Sequence, residues 1–230
     1  MDFRDRHVVV TGGTGALGSA VVGALLDAGA VCHIPFRSAD GGARFPHRGH
    51  DRVKMLADVD LTDEAAVERL YAGVPQLWAS INIAGGFAWR PMAETSKADL
   101  MKMIETNLVS AYLCSRAAAK AMSRGGRIVN VTARFGLEWR LGANMTAYVA
   151  AKAAVAAFTV ALSEEIAKQD ILVNAVAPSI MDTPANRKDM PKADFGAWPK
   201  VEEVAATILF LASPENKVTR GAVVPVYGKN

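Results

Sequence analysis

Short apolar runs alternate along this chain with longer amphipathic stretches. The short runs are rich in β-branched residues and bounded by glycine or polar residues, which is typical of strands buried on both faces of a sheet. We predict seven strands, at 8–10, 31–36, 53–57, 79–86, 128–132, 171–177 and 222–226. The spacing of apolar residues predicts helices between them, including 19–28, 99–122, 146–168 and 201–212. This alternation predicts an α/β fold, a Rossmann-like doubly wound parallel sheet in a single domain spanning 1–230.

Composition and charge exclude several classes of protein. Half of the 230 residues are apolar (51%), which disfavours disorder, and a net charge of +3 is too small to predict nucleic-acid binding. No uninterrupted apolar run approaches the roughly 20 residues of a membrane span, and the charged N-terminus does not look like a signal peptide. Cys32 and Cys114 are predicted to be reduced core thiols in a cytoplasmic protein. The four histidines lack neighbours at metal-ligand spacing, so we predict no metal.

A glycine-rich turn joins the first strand to the first helix. Glycines let the backbone approach a pyrophosphate, and the helix N-terminus supplies free N–H groups and positive potential. A simple tight turn is the alternative, but the strand before it and the helix after it are the context that dinucleotide binding requires. The predicted cofactor contacts in this turn are Gly12, Thr14, Gly15, Ala16, Leu17 and Gly18.

The ends of the second and third strands predict which cofactor binds. An acidic residue at the end of the second strand would hold the ribose hydroxyls of NAD, but Arg37 and Ser38 stand there. An arginine can instead hold the 2′-phosphate of NADP, so NADP is favoured over NAD, unless Arg37 is a solvated surface residue. Asp60 and Leu61 are predicted to contact the adenine, and Asp60 can also cap the following helix.

The fourth strand ends in small residues, among which we predict cofactor contacts at Asn82, Ala84 and Gly85. Ligands of open parallel sheets bind at the carboxyl ends of strands, where small side chains allow close approach. Asn107 lies on the helix 99–122 among apolar neighbours. A buried asparagine must be hydrogen-bonded, so Asn107 either holds a water or satisfies a backbone group.

Tyr148 and Lys152 lie four residues apart on the helix 146–168, and therefore share one face. An ammonium group beside a phenol favours the phenolate, so Lys152 is predicted to lower the pKa of Tyr148 toward neutral pH. Tyr148 could then donate or accept a proton during catalysis. The alternative is that both residues lie at the rim of an amphipathic helix.

Together these motifs resemble the short-chain dehydrogenase/reductase family over essentially the whole chain. The resemblance implies that Tyr148 is the catalytic acid/base and that Lys152 binds the nicotinamide ribose and lowers the Tyr148 pKa. It also implies that Asn107 holds a water in a proton relay. After the sixth strand, the residues implied in cofactor binding are Pro178, Ile180 and Thr183, of which the threonine helps to hold the nicotinamide carboxamide.

The sequence departs from the family pattern at three positions. Ala16 replaces a glycine of the commoner glycine motif, and Ser179 follows Pro178 where the family usually has glycine. Ala133 occupies the position of the family's catalytic serine and cannot donate a hydrogen bond to a substrate carbonyl. Thr132 could substitute only if the strand end bends, because successive strand residues point to opposite faces. The predicted substrate-side residues are Thr132, Ala133, Arg134 and Trp139.

The segment 182–198 resembles the corresponding loop of dihydropteridine reductases, which also lack the serine. The resemblance implies hydride transfer to a quinonoid dihydropterin, which needs little carbonyl polarisation. Those enzymes usually prefer NADH, whereas Arg37 favours NADPH. The loop 183–200 is predicted to be a lid over the substrate.

We therefore expect an NAD(P)H-dependent reductase of a small carbonyl, imine or quinonoid substrate. One alternative is a 3-oxoacyl-type ketoreductase in which Thr132 replaces the serine. A second is a cofactor-binding sensor or scaffold, which Ala133 supports and the intact Tyr148 and Lys152 oppose. The helices 99–122 and 146–168 expose more apolar surface than one sheet face needs, and the family pairs such helices across subunits. A homodimer or homotetramer is therefore expected.

Overall fold

A single parallel sheet forms the centre of the protein in this computed structural model, which describes residues 1–37, 42–123 and 125–229. The strands are β1 His7–Thr11, β2 Val31–Pro35, β3 Val53–Leu56, β4 Leu77–Asn82, β5 Gly126–Val131, β6 Ile171–Pro178 and β7 Val223–Val226. Their order is β3-β2-β1-β4-β5-β6-β7, and every pairing is parallel. This confirms the predicted doubly wound fold. The strand order reverses between β1 and β4, which places the expected ligand crevice at their carboxyl ends.

Helices cover both faces of the sheet. They are α1 Ala16–Asp27, α2 Glu64–Ala72, α3 Lys97–Ile104, α4 Ser110–Ala121, α5 Thr146–Glu165, α6 Pro184–Asp189 and α7 Val201–Ala212. Alternate strand residues point to opposite faces, so Val8 and Val10 enter the core that includes α1 and α7. Val9 instead enters a second core, which is filled largely by α2 and α4.

Several element boundaries differ from the predictions. The strand predicted at 79–86 ends at Asn82, so Ala84 and Gly85 leave the sheet in an irregular segment. The helix predicted at 99–122 is interrupted by a π-helical turn, Glu105–Val109, between α3 and α4. The loop predicted at 183–200 contains α6 and a short 3₁₀ turn at Phe195–Ala197. Proline at the first helical position is favourable for α6, because its missing N–H is unpaired there in any case.

Among the described residues, α5 is the one helix that is long and apolar enough to cross a membrane by length and composition. Core helices of soluble proteins meet the same criterion. One face of α5, including Ala151, Val155 and Thr159, is buried in this fold.

Candidate active site

The turn between β1 and α1 has the shape that the glycine motif predicts. Gly12 has a φ of +67°, and a Cβ there would lie 2.8 Å from the Ala84 nitrogen. A Cβ on Gly18 would lie 2.1 Å from the Gly12 carbonyl oxygen. The helix begins at Ala16, earlier than the predicted 19, and Gly15 at its N-cap provides no side-chain hydrogen bond. The first-turn N–H groups are therefore free of a side-chain cap, so the turn fits the pyrophosphate of a dinucleotide.

Arg37 and Asp60 lie together at the adenosine end of this crevice. The Arg37 side chain is 78% exposed, and its Nη1 lies 3.8 Å from Asp60 Oδ2. Asp60 also accepts hydrogen bonds from the Thr62 nitrogen and hydroxyl, which together with the weaker attraction of Arg37 lower the pKa of its carboxyl. The helix cap is Asp63 instead, which accepts a bond from Ala66 N at 2.7 Å. Ser38 lies outside the described residues.

The Asn82 side chain is committed to hydrogen bonds inside the protein, and the cofactor contact at Asn82 stays a prediction. It donates to Asn130 Oδ1 at 2.8 Å and to Ser115 Oγ at 3.0 Å, and it accepts from Ser80 Oγ at 3.0 Å. It is 2% exposed. Asn130 continues this buried chain to Thr159 on α5 at 3.0 Å. The asparagine therefore ties β4 to β5, and only its main chain remains for cofactor contact.

Gly85, Asn107 and Lys152 lie close together. A Cβ on Gly85 would lie 2.6 Å from Asn107 Oδ1 and 3.3 Å from Lys152 Nζ. The Asn107 carboxamide accepts from Gly86 N at 3.1 Å and donates to Met103 O at 3.0 Å. Of the two alternatives predicted for Asn107, its side chain therefore satisfies backbone groups. Its role in holding a water of a proton relay remains a prediction. Asn107 lies in the π-helical turn, a distortion that is frequent at functional sites.

Tyr148 and Lys152 lie on α5 as predicted, but their pKa values differ from the expectation. Lys152 is 5% exposed and donates from Nζ to Val131 O at 2.9 Å. Burial lowers the pKa of Lys152 to about 8 and raises the pKa of Tyr148 to about 12. The predicted lowering of the Tyr148 pKa is therefore wrong, because desolvation of the phenolate dominates. Tyr148 is a protonated acid at neutral pH.

Ala133 and Thr132 leave the site without a serine-like hydroxyl. Ala133 is buried, 6% exposed, and extends the path of β5. Thr132 donates its hydroxyl proton to the Lys152 carbonyl at 2.6 Å. A hydroxyl has a single proton, so Thr132 cannot polarise a substrate without breaking this bond. The structure therefore contradicts the expectation that Thr132 replaces the serine.

A charged cluster follows Ala133. Arg134 Nε donates to Glu138 Oε2 at 2.9 Å, and its guanidinium carbon lies 4.9 Å from the centre of the Tyr227 ring. Burial, followed by the charge of Glu138 and a hydrogen bond to it, raises the pKa of Tyr227. Trp139 is 68% exposed and donates from its ring to Gly136 O at 2.9 Å. The sequence reasoning missed Glu138 and Tyr227, although the position of Tyr227 directly after the last strand places it at the same sheet edge.

The segment after β6 is held by the C-terminal residues. Ser179 donates from Oγ to the Tyr227 carbonyl at 2.8 Å. Thr183 is 8% exposed, and its hydroxyl oxygen caps α6 by accepting a hydrogen bond from Asn186 N at 3.2 Å. Because the hydroxyl only accepts in this bond, its own proton can be donated elsewhere. Pro178 ends β6, and Ile180 is half-buried.

A cleft of about 250 Å³ is lined by Phe87 and by Ala147, the residue before Tyr148. The ring of Phe87, which the sequence reasoning did not single out, packs edge-on against Tyr148 with the centroids 5.1 Å apart. Arg90 N donates to Asn144 O at 2.6 Å, so the loops after β4 and before α5 form one rim. The residues lining the cleft include Phe87, Arg90, Lys102, Met103, Met145 and Ala147.

Within the described part of the chain, no three His, Cys, Asp or Glu side chains are placed to hold a metal ion. Cys32 and Cys114 are free and buried, and burial raises the pKa of each thiol to about 12. Neither thiol is therefore activated at neutral pH.

Comparison with known proteins agrees with this site. A family model described as short chain dehydrogenase matches residues 6–194. Galactitol 2-dehydrogenase of Rhizobium johnstonii is 35% identical over 96% of this chain and 93% of that enzyme. The 3-oxoacyl-[acyl-carrier-protein] reductase FabG of Pseudomonas aeruginosa is 31% identical over 99% of this chain and 98% of that enzyme. The structure of ElxO with NADP bound has a TM-score of 0.88 and 27% identity, and covers 97% of this chain and 98% of that one. The chain therefore belongs to the short-chain dehydrogenase/reductase family and is an NAD(P)-dependent oxidoreductase.

Proposed function

We propose that this enzyme reduces a small, electron-poor carbonyl, imine or quinonoid substrate with NADPH, as the likeness to dihydropteridine reductases implies. The observation that carries this proposal is a half-buried, protonated Tyr148, one helical turn from Lys152, at a site where Ala133 and Thr132 provide no free hydroxyl. A substrate that is already electron-poor needs less polarisation by a hydrogen-bond donor.

A bound nicotinamide cofactor supplies the hydride in this reaction. Tyr148 donates the proton to the oxygen or nitrogen of the substrate, so hydride and proton together complete a two-electron reduction. Lys152 is held against β5 by its bond to the Val131 carbonyl, and its ammonium group stabilises the phenolate that remains. Phe87 packs on the ring of Tyr148 and limits the access of water to it.

The preference for NADPH rests on Arg37. Its largely exposed guanidinium stands after β2, and within the described part of the chain its recorded ion pair is a long one, 3.8 Å to Asp60. It is therefore free to form a bidentate bond with a 2′-phosphate. The proposal sets this enzyme apart from the NADH-dependent reductases that its 182–198 segment resembles.

A second candidate is an ordinary ketoreductase. The relatives named as galactitol 2-dehydrogenase and 3-oxoacyl-[acyl-carrier-protein] reductase favour it, since both names describe alcohol–ketone chemistry. Family membership favours either enzyme over the sensor or scaffold suggested from the sequence.

The assembly is proposed to be a homodimer or homotetramer. On α4, Tyr112 is 48% exposed and packs at a tilt against Phe158 of α5, with the ring centroids 5.6 Å apart, while Val160 is 43% exposed. These apolar side chains form a surface that a second subunit can cover. The buried free thiols suit a reducing cytoplasm, which is the proposed location.

One assay separates the candidates. Purified protein is given NADPH or NADH with quinonoid dihydropterin and, separately, with a panel of ketones that includes a 3-oxoacyl thioester. Turnover of the dihydropterin but not of the ketones supports the main proposal, whereas efficient turnover of ketones supports the second candidate.

Tyr148→Phe should lower kcat about 100-fold or more while cofactor affinity is retained. If this variant is fully active, Tyr148 is not the proton donor.

A further inference from the structure

The site lacks one hydrogen-bond donor. Ala133 has no polar atom in its side chain, and the proton of Thr132 is committed to the Lys152 carbonyl. Tyr148 alone would then have to orient and protonate the substrate. A single lost donor at such a position typically costs about 10²–10³ in kcat, so another donor at the end of β5 would have a large effect.

Arg134 directly follows Ala133 in the chain, and its guanidinium has unused hydrogen-bond donors. Its side chain is 24% exposed, and its Nε bonds to Glu138. Within residues 1–37, 42–123 and 125–229, its two terminal nitrogens have no hydrogen-bond partner. A guanidinium carries five N–H groups in a planar fork, so four remain for a ligand.

The guanidinium is held rigidly from two sides. Glu138 lies four residues later and takes the Nε edge, and the Tyr227 ring lies 4.9 Å from the guanidinium carbon. Tyr227 follows β7, and its carbonyl is bonded to Ser179 after β6. Since β5, β6 and β7 are parallel, the cluster lies at the carboxyl edge of the sheet, the edge that carries the cofactor crevice.

The turn that begins with Arg134 also packs directly on α5. A Cβ on Gly136 would lie 2.9 Å from the Lys152 carbonyl carbon and oxygen. This turn thus lies against the helix that carries Tyr148, one turn from the proton donor.

We propose that the terminal nitrogens of Arg134 bind the oxygen of the substrate in place of the absent serine hydroxyl. This inference rests on the proposed reductase function and narrows its substrate class. The enzyme takes substrates whose reacting group carries an oxygen that becomes more negative as hydride arrives. Glu138 and Tyr227 are positioning residues that hold the guanidinium.

The test is a rescue experiment with the substrate that the wild-type enzyme turns over. Arg134→Gln should lower kcat/KM about 100-fold. Arg140→Gln is the matched control, because Arg140 is exposed in the same loop and should retain activity within about twofold. The double variant Ala133→Ser/Arg134→Gln should have a kcat/KM at least tenfold higher than that of Arg134→Gln, since the serine hydroxyl then supplies the donor. A merely structural arginine would not be rescued by a serine, so an unrescued or fully active Arg134→Gln overturns the proposal.

Two further measurements keep the test decisive. If Arg134→Gln does not fold, Arg134→Lys keeps the charge but loses the planar guanidinium, and the same rescue by Ala133→Ser is expected.

If the wild-type enzyme turns over nothing, the proposed function fails, and Arg134 is tested instead by benzoate binding to NADP⁺-saturated protein. Wild type and Arg140→Gln should then bind benzoate at least tenfold more tightly than Arg134→Gln. Equal affinities, or no binding by wild type, overturn the assignment.

Discussion

Acid should weaken this protein through one buried histidine. His33 on β2 is 6% exposed, and its Nε2 lies 2.9 Å from Nδ1 of His7 on β1. Burial, followed by the charges of His7 and Lys54, lowers the pKa of His33 from its ordinary 6.5 to about 4. Because the unfolded chain binds the proton more readily, stability is lost as pH falls from about 6.5 to about 4 and changes no further below that window.

The size of the effect follows from the shift. A fall from 6.5 to about 4 corresponds to about 3 kcal/mol in full, at about 1.36 kcal/mol per pKa unit. At pH 4.5, most of this, about 2–3 kcal/mol, should already be lost. The strands concerned, β1 and β2, are those that precede the glycine turn and Arg37.

The assay is urea unfolding at pH 7.5 and pH 4.5, at fixed protein concentration. Wild type also loses stability through its carboxylates, so the useful quantity is the difference from His33→Gln, which cannot be protonated. That variant should lose about 2–3 kcal/mol less than wild type between the two pH values. His50→Gln, a change at an exposed histidine, is the matched control and should follow wild type. An equal acid loss in His33→Gln and wild type would refute the assignment.

Three other substitutions test the site. Thr132→Val leaves the Lys152 carbonyl without its hydrogen bond and should lower the free energy of unfolding by about 1–3 kcal/mol, whereas Thr132→Ser should not; equal loss in both would mean that the hydroxyl contributes nothing. Arg37→Asp should lower the ratio of kcat/KM for NADPH over NADH at least tenfold, with Arg48→Asp as an exposed control, and an unchanged ratio would count against the NADPH proposal. Lys152→Met should lower kcat about 100-fold or more, and Lys152→Arg, which keeps the positive charge, should lose less; equal losses would show that charge is not what Lys152 provides.

The fold could be predicted from the sequence because its signals are local. Apolar runs, glycine turns and amphipathic spacing each act over a few residues, and they placed all seven strands in order. Helix α7 was predicted with its observed limits, 201–212. The π-helical turn at Glu105–Val109 was not predictable, because its register depends on bonds from the Asn107 side chain to Gly86 and Met103.

The site was harder to predict, because its chemistry depends on contacts between distant segments. Sequence spacing placed Tyr148 and Lys152 on one helix face but could not show how deeply each would be buried. Burial reverses the predicted direction of the Tyr148 pKa. In the same way, the adjacency of Thr132 to Ala133 suggested a replacement donor, whereas its bond to Lys152, 20 residues later, decides against it.

These pKa values bear on the protonation state of the site at neutral pH. With a pKa of about 12, Tyr148 is almost wholly protonated at pH 7, which is the form that reduction requires. Oxidation would instead need the phenolate, which burial disfavours. Lys152, with a pKa of about 8, is still charged at pH 7 and can stabilise the phenolate once the proton has left. Burial thus keeps Tyr148 in the form that can give a proton.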